Sequence, residues 1–251
     1  PLLSAIISLL VCFTAPVSAQ SGNISDSERS KIERVVEEYL LNNPEIIAVA
    51  IRELQRRQTM AQMLPAIQVY RHYLENSPSD AVIGNPDGDV VLVEFFDYRC
   101  GFCRRHYQDV KRLVAEDGNI KWVLKHFPVL DRPGEPALSK KAAIAAIAAH
   151  KQGKFLAFHE ALMTGTGAIT NEYIEATAKE VGLNMVQFKD DLVNKVNEKV
   201  VTNSMSVGQE IGFTGTPGYI IGNDAVLGAE GYGRLKEAVL RARAENEQNA
   251  Q

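Results

Sequence analysis

Cysteine is scarce in this sequence, with three in 251 residues. That excludes a scaffold stapled by disulfides, which needs several well-separated cysteines. Positive charge is not in excess either. Lys and Arg number 27 against 31 Asp and Glu, for a net charge of −4. Nucleic-acid binding needs clustered cations, so no nucleic-acid partner is expected. No second Cys pair and no paired His accompany the first Cys pair, which argues against a four-ligand structural zinc site. No internal repeat is visible. Past residue 19 no apolar stretch approaches the ~20 residues that span a bilayer. What remains, at 45% hydrophobic and 23% charged residues, has the composition of an ordinary globular protein.

Residues 1–19 lack charge altogether. Leu2 to Phe13 are mostly apolar, and Val17-Ser18-Ala19 supplies small residues at a cleavage spacing. This segment reads as a secretory signal peptide and places the protein in the periplasm or cell envelope. Cys12 falls inside it. Cys100 and Cys103 are then the two cysteines left. A loop closed by neighbours so near in sequence contributes little chain-entropy stabilisation, so their spacing points to chemistry.

Residues 20–80 read as a charged helical arm. Ser25 and Glu28 fit a capping box. Ile32, Val35, Val36, Tyr39 and Leu40 recur at helical spacing, and Ile47, Ile51 and Leu54 continue an apolar stripe. Asn43-Pro44 is expected to restart the helix as N-cap and first position. Pro65 is expected to end or kink it. Turn-rich sequence near Ser77-Pro78 and Gly84 to Gly88 marks a boundary, with the catalytic domain over 81–251. Val90 to Phe96 reads as a buried strand, Gly101 to Ala115 as a helix and Asn119 to His126 as a second strand. A helical block follows over about 135–210. Strands at Tyr219 to Ile221 and Ala225 to Leu227 then flank a turn, and Leu235 to Ala244 closes the chain as a helix. The order implies an α/β domain with an all-helical insertion.

Disulfide exchange needs one nucleophilic thiol and one that resolves the mixed disulfide. Cys100 lies between the predicted strand and helix, where unpaired N–H groups and the helix dipole stabilise a thiolate. Cys103 follows one turn later. Cys100 is therefore the attacking thiol and Cys103 the resolving one. Arg99, Arg104 and Arg105 add positive charge nearby, and His106 is expected to be a partly exposed helix residue. Two thiols also suit copper(I), so a copper-binding protein is an alternative reading. A mainly structural envelope protein is another. Glu94 is a lone acid in an apolar strand, with Lys121 and Lys125 as candidate partners on the neighbouring strand.

The stretch Val93-Glu94-Phe95-Phe96-Asp97-Tyr98-Arg99-Cys100-Gly101-Phe102-Cys103 resembles the active-site segment of DsbA-like thiol–disulfide oxidoreductases of thioredoxin fold. Phe213-Thr214-Gly215-Thr216-Pro217-Gly218-Tyr219 resembles that family's cis-proline loop. Leu40 to Ile47 is similar to the N-terminal extension of its ScsC-like branch and of relatives described as outer-membrane proteins. The resemblance implies a thioredoxin-like domain with a helical insertion and an N-terminal arm. It implies that Thr216 and Pro217 orient a client strand and that Glu94 manages protons as a buried acid. Gly-Phe between the cysteines and Thr216 before the proline imply a less oxidising site than the strongest oxidants have. No cofactor is expected, because the electrons reside in the Cys pair. Implied partners are unfolded or misfolded secreted proteins, a membrane redox protein that recycles the pair, and a second copy of the chain through residues 25–75.

Overall fold

The computed structural model of the chain describes residues 25–249. The signal peptide read over residues 1–19, with Cys12, lies outside the described residues. The chain divides into two compact units between Leu54 and Gln55.

The described part of the first unit holds α1 (Asp26–Asn42) and the start of α2 (Glu45–Asn76). The capping box forms as read. The Ser25 side chain accepts from the Glu28 N–H, and the Glu28 carboxylate accepts from the Ser25 N–H. Asn43 behaves differently from expectation. Its backbone N–H and its Nδ2 both donate to the Tyr39 carbonyl, at 3.0 and 2.8 Å. It therefore closes α1 instead of opening α2. The orphan carbonyls at a helix end need donors, and the Asn43 amide supplies one. Ile32, Val35, Val36, Tyr39, Ile47, Ile51 and Leu54 are exposed along these helices.

The second unit begins inside α2, so the unit boundary falls well before residue 80. Met60, Met63, Ile67 and Leu74 of α2 are buried in a core with Val93, Phe95, Val123 and Phe127. That packing brackets Pro65 on both sides, and the helix runs through it. A proline inside a helix removes one backbone hydrogen bond. Burial of the flanking apolar side chains outweighs that loss here.

A five-stranded sheet forms the centre, in the order β1 (Ala81–Gly84), β3 (Ile120–His126), β2 (Val90–Phe96), β4 (Gly218–Ile221), β5 (Asp224–Leu227). β2 and β3 are parallel, joined through α3 (Gly101–Asp117), and the other pairs are antiparallel. The sequence reading lacked β1, four residues framed by turn-formers. The insertion comprises α4 (Leu138–Lys151), α5 (Phe155–Thr164), α6 (Asn171–Glu180), α7 (Met185–Leu192) and α8 (Lys195–Ile211), and α9 (Tyr232–Asn249) ends the described chain.

Strand alternation sorts the core into two faces. Leu92, Phe96, Trp122, Leu124, Tyr219 and Ile221 pack with α3, α9 and the insertion. Val93, Phe95, Val123 and Ile220 pack with α2 and α8. The α8 backbone approaches closely at Gly208, where a Cβ would sit 2.7 Å from the Phe127 ring.

Candidate functional site

The site is built at the C-terminal end of β2, where the chain leaves the sheet and enters α3. Asp97 follows the strand and holds the turn. Its carboxylate accepts from the Arg99 N–H at 2.8 Å and from the Leu130 N–H at 3.2 Å. Its backbone carbonyl accepts from the Cys100 N–H at 2.9 Å. Burial raises the Asp97 carboxyl to about 6, against these hydrogen bonds. Asp97 was not singled out from the sequence. An Asx turn beginning three residues before the N-cap was the signal available.

Cys100 is the N-cap of α3, at φ −75° and ψ 112°, and no side chain caps the helix. The first N–H groups of α3 are therefore free to face its sulfur. Cys100 and Cys103 are both reduced and buried. The Cys100 pKa falls to about 5. The Cys103 thiol is the largest cause, and Thr216 and the Phe102 and Cys103 N–H groups add to it against burial. The thiol form places Cys100 Sγ 3.2 Å from the Thr216 carbonyl as donor. A thiolate cannot make that bond. The buried Thr216 hydroxyl has no other partner, which leaves it available to donate to the thiolate instead. Cys103 is pushed far up, first by burial, then by Cys100 and by the Glu94 charge. The two thiols are thus split as a nucleophile and a protonated resolver require. The Thr216–Pro217 bond is cis.

The arginines expected to charge the site are engaged with their own partners. Arg99 pairs with Asp131 at 3.0 Å, Arg104 donates to the Gly167 carbonyl at 3.1 Å, and Arg105 lies over the Phe102 ring. The thiolate rests on hydrogen bonds at the helix start.

Glu94 is fully buried, and neither expected lysine reaches it. Register is the reason. Glu94 lies opposite Leu124 on β3 and opposite Tyr219 on β4. Lys121 and Lys125 are odd-numbered on β3, on the face of Phe95. Lys125 pairs with Asp80, donates to the Tyr73 carbonyl and sits 3.7 Å over the Tyr73 ring. Lys121 donates to Asn76. On the Glu94 face, Trp122 Nε1–H donates to one carboxylate oxygen at 3.0 Å and the Tyr219 hydroxyl donates to the other at 3.3 Å. Burial raises Glu94 to about 8, Trp122 and Tyr219 oppose it, and the Cys100 charge adds to it. His106 is buried, not partly exposed. It bonds to the Tyr219 hydroxyl through Nδ1 at 2.7 Å and accepts from the Gly231 N–H through Nε2 at 3.0 Å.

Among the described residues no group of three or more His, Cys, Asp or Glu is arranged to hold a metal, and no helix is long and apolar enough to cross a membrane.

Residues 75–240 match a family profile described as Thioredoxin. The chain belongs to the thioredoxin family. Residues 28–61 match a second profile, the copper resistance protein ScsC N-terminal domain. Within the family the chain is DsbA-like. It resembles a thioredoxin-like oxidoreductase from Silicibacter pomeroyi at 40% identity and TM-score 0.65, over 69% of this chain and 98% of that one. It also resembles the thiol-disulfide exchange protein α-DsbA2 from Wolbachia pipientis at 28% identity and TM-score 0.65, over 75% and 97%. A Na(+)/H(+) antiporter NhaA 1 from Salinispora arenicola is 26% identical over 163 residues. These are 65% of this chain and 24% of the antiporter, so the chain spans about a quarter of the length of that curated relative. The ScsC match contains neither Cys nor His, so it brings no thiol or imidazole toward a metal.

Proposed function

We propose that this thioredoxin-family protein exchanges disulfides in secreted proteins outside the cytoplasm, with Cys100 as nucleophile and Cys103 as resolving thiol. The observation that carries this reading is the split of the pair, with Cys100 ionised near pH 5 at an uncapped helix start and Cys103 held protonated behind it. The Cys100 thiolate attacks a client disulfide, forms a mixed disulfide and releases one client sulfur as thiolate. Cys103 then gives its proton to Glu94, directly or across one water. Its sulfur bonds to Cys100, and the second client sulfur leaves. The client gains two electrons and the enzyme pair is oxidised. The reverse sequence oxidises a client. Thr216 and Pro217 orient the client strand beside the sulfur.

A thiolate near 5 falls between about 3.5 for a strong oxidant and about 7 for thioredoxin. This supports a site of intermediate potential, suited to isomerisation or moderate oxidation of misfolded clients in the periplasm. A membrane redox protein recycles the pair. The exposed apolar residues of α1 and early α2 support assembly through residues 25–75, since such a stripe is stable when covered by another apolar surface.

The test is insulin reduction and scrambled-ribonuclease refolding by the wild type, Cys100→Ser and Cys103→Ser. Wild-type turnover, loss of it in Cys100→Ser, and trapped mixed disulfides in Cys103→Ser are expected. No turnover on either client, with tight copper(I) binding by the reduced pair, would sink the reading in favour of a copper protein. Sedimentation of the protein with and without residues 25–54, a deletion that stops short of the α2 side chains buried in the second unit, reports on assembly. Equal monomers would remove assembly as a support for isomerisation.

A further inference from the structure

We propose that His106 and Tyr219 are positioning residues that fix a hydrogen bond onto Glu94 from the loop at Gly231, and so keep a working fraction of Glu94 in the charged form that takes the Cys103 proton. The inference rests on the exchange reading above and assigns a role to two residues outside the Cys100–Cys103 pair.

The direction of the chain of bonds follows from its outer end. The Gly231 backbone N–H can only donate, and it donates to His106 Nε2. Neutral His106 must then carry its proton on Nδ1 and donate it to the Tyr219 oxygen. With that lone pair taken, the Tyr219 proton points to the Glu94 carboxylate, 3.3 Å away. Trp122, also a donor only, occupies the other carboxylate oxygen. Both oxygens of Glu94 are held as acceptors. Hydrogen bonds to the charged form of a buried acid oppose its desolvation.

The groups around Glu94 supply no alternative. Trp122 faces it from β3, Tyr219 from β4, and Cys100 and Cys103 from the head of α3, with the Tyr98 and Tyr107 phenols nearby. None of these is a cation. His106 itself is kept neutral by burial, although Asp109 lies 3.8 Å from its Nε2 and favours the charged form. A protonated His106 would set an N–H against the Gly231 N–H. The geometry therefore favours one tautomer and one orientation of Tyr219.

The inference is tested on the reduced full chain labelled with [13C]carboxyl glutamate, with the Glu94 signal assigned by Glu94→Gln. Losing one hydrogen bond to a charged group should raise the Glu94 midpoint by about one pH unit, a tenfold change in proton affinity. Tyr219→Phe should do this, and His106→Leu, which leaves the Tyr219 hydroxyl able to donate but no longer directed, should move the midpoint the same way by less. The double variant should move no further than Tyr219→Phe alone, because His106 acts through Tyr219. His106→Asn, whose Nδ2–H can replace the Nδ1–H, should bring the midpoint most of the way back to that of the wild type. The Cys100 thiolate midpoint should stay fixed. The pH–rate profile of client release from a Cys100 mixed disulfide should move with Glu94. An unmoved Glu94 midpoint in folded His106→Leu, or additive shifts in the double variant, would overturn the inference. Tyr219→Phe removes a single oxygen atom and keeps the test open if His106→Leu does not fold. If Glu94 shifts as expected while client release in the wild type is indifferent to pH, the hydrogen-bond assignment stands and the proton-transfer role of Glu94 falls.

Discussion

Replacing Cys103 by Ala tests the physical basis of the site, because it removes the largest single cause of the low Cys100 pKa. A hydrogen bond to a charged group contributes roughly 1.5–3 kcal/mol. At 1.36 kcal/mol per pKa unit, its loss corresponds to a rise of about 1–2 units. The Cys100 midpoint should move from about 5 to roughly 6–7, not to that of a free thiol near 8.5, because the Phe102 N–H and Thr216 still act. Thiolate absorbance at 240 nm against pH, in a Cys12→Ser background, reads this directly. A wild-type midpoint near 8.5 would refute the claim that the head of α3 stabilises the anion. A midpoint unchanged at about 5 in Cys103→Ala would show that the helix start acts without Cys103. The same shift sets a stability profile. The folded pKa of Cys100 is depressed, so its stabilising contribution is fully present above the unfolded pKa near 8.5 and is lost as pH falls through about 5. At pH 7 about two units of the shift are expressed, which favours the folded reduced state by roughly 2–3 kcal/mol. Urea unfolding of the reduced protein, with Cys100→Ser as reference, should show this margin shrinking between pH 7 and pH 5.

Glu94→Gln should abolish the break near pH 8 in client release. It should also remove a stability loss, since the buried carboxyl keeps a proton that the unfolded chain releases as pH rises from about 4.5 to about 8; urea midpoints across that range check the sign. Asp80→Asn or Lys125→Met alone should cost about 3–5 kcal/mol by stranding a buried charge, and the double substitution should cost much less, as read by urea midpoints. Gly208→Ala should destabilise by about 1–3 kcal/mol, because the added methyl meets the Phe127 and Phe95 rings at 2.7 and 3.0 Å; an unchanged thermal midpoint would show that α8 can move away from the sheet.

The features legible in the sequence were local ones. The place of Cys100 at the head of α3 was legible because a thiol at a strand-to-helix junction has a physical consequence set by local structure. The strand Val90–Phe96 follows from a short run of β-branched and aromatic residues, and the first helix of the insertion from an Ala-rich stretch. The parts that were missed depend on which residues meet across the fold. Glu94 was visible as an oddity, but its partners required the register of two strand pairs. Parity along β3 puts Leu124 opposite Glu94, which excludes Lys125 and brings in Trp122, two residues away on the same face. His106 read as partly exposed because nothing within α3 shows that the Gly231 N–H bonds to its ring. Pro65 does not end the helix, for the related reason that a helix break is a local rule while the α2 core supplies a long-range countervailing force. The Glu94 network can still be inferred from sequence once the pairing of β2 with β4 is granted. Tyr219 lies two residues after Pro217, and the antiparallel register sets it directly across from Glu94. A carboxylate and a phenol facing each other in a dry sheet interior must bond or carry an unpaired polar group at high cost. The cis Thr216–Pro217 loop and the hydroxyl that bonds Glu94 are thus carried on one short segment. A change of register there would displace both together.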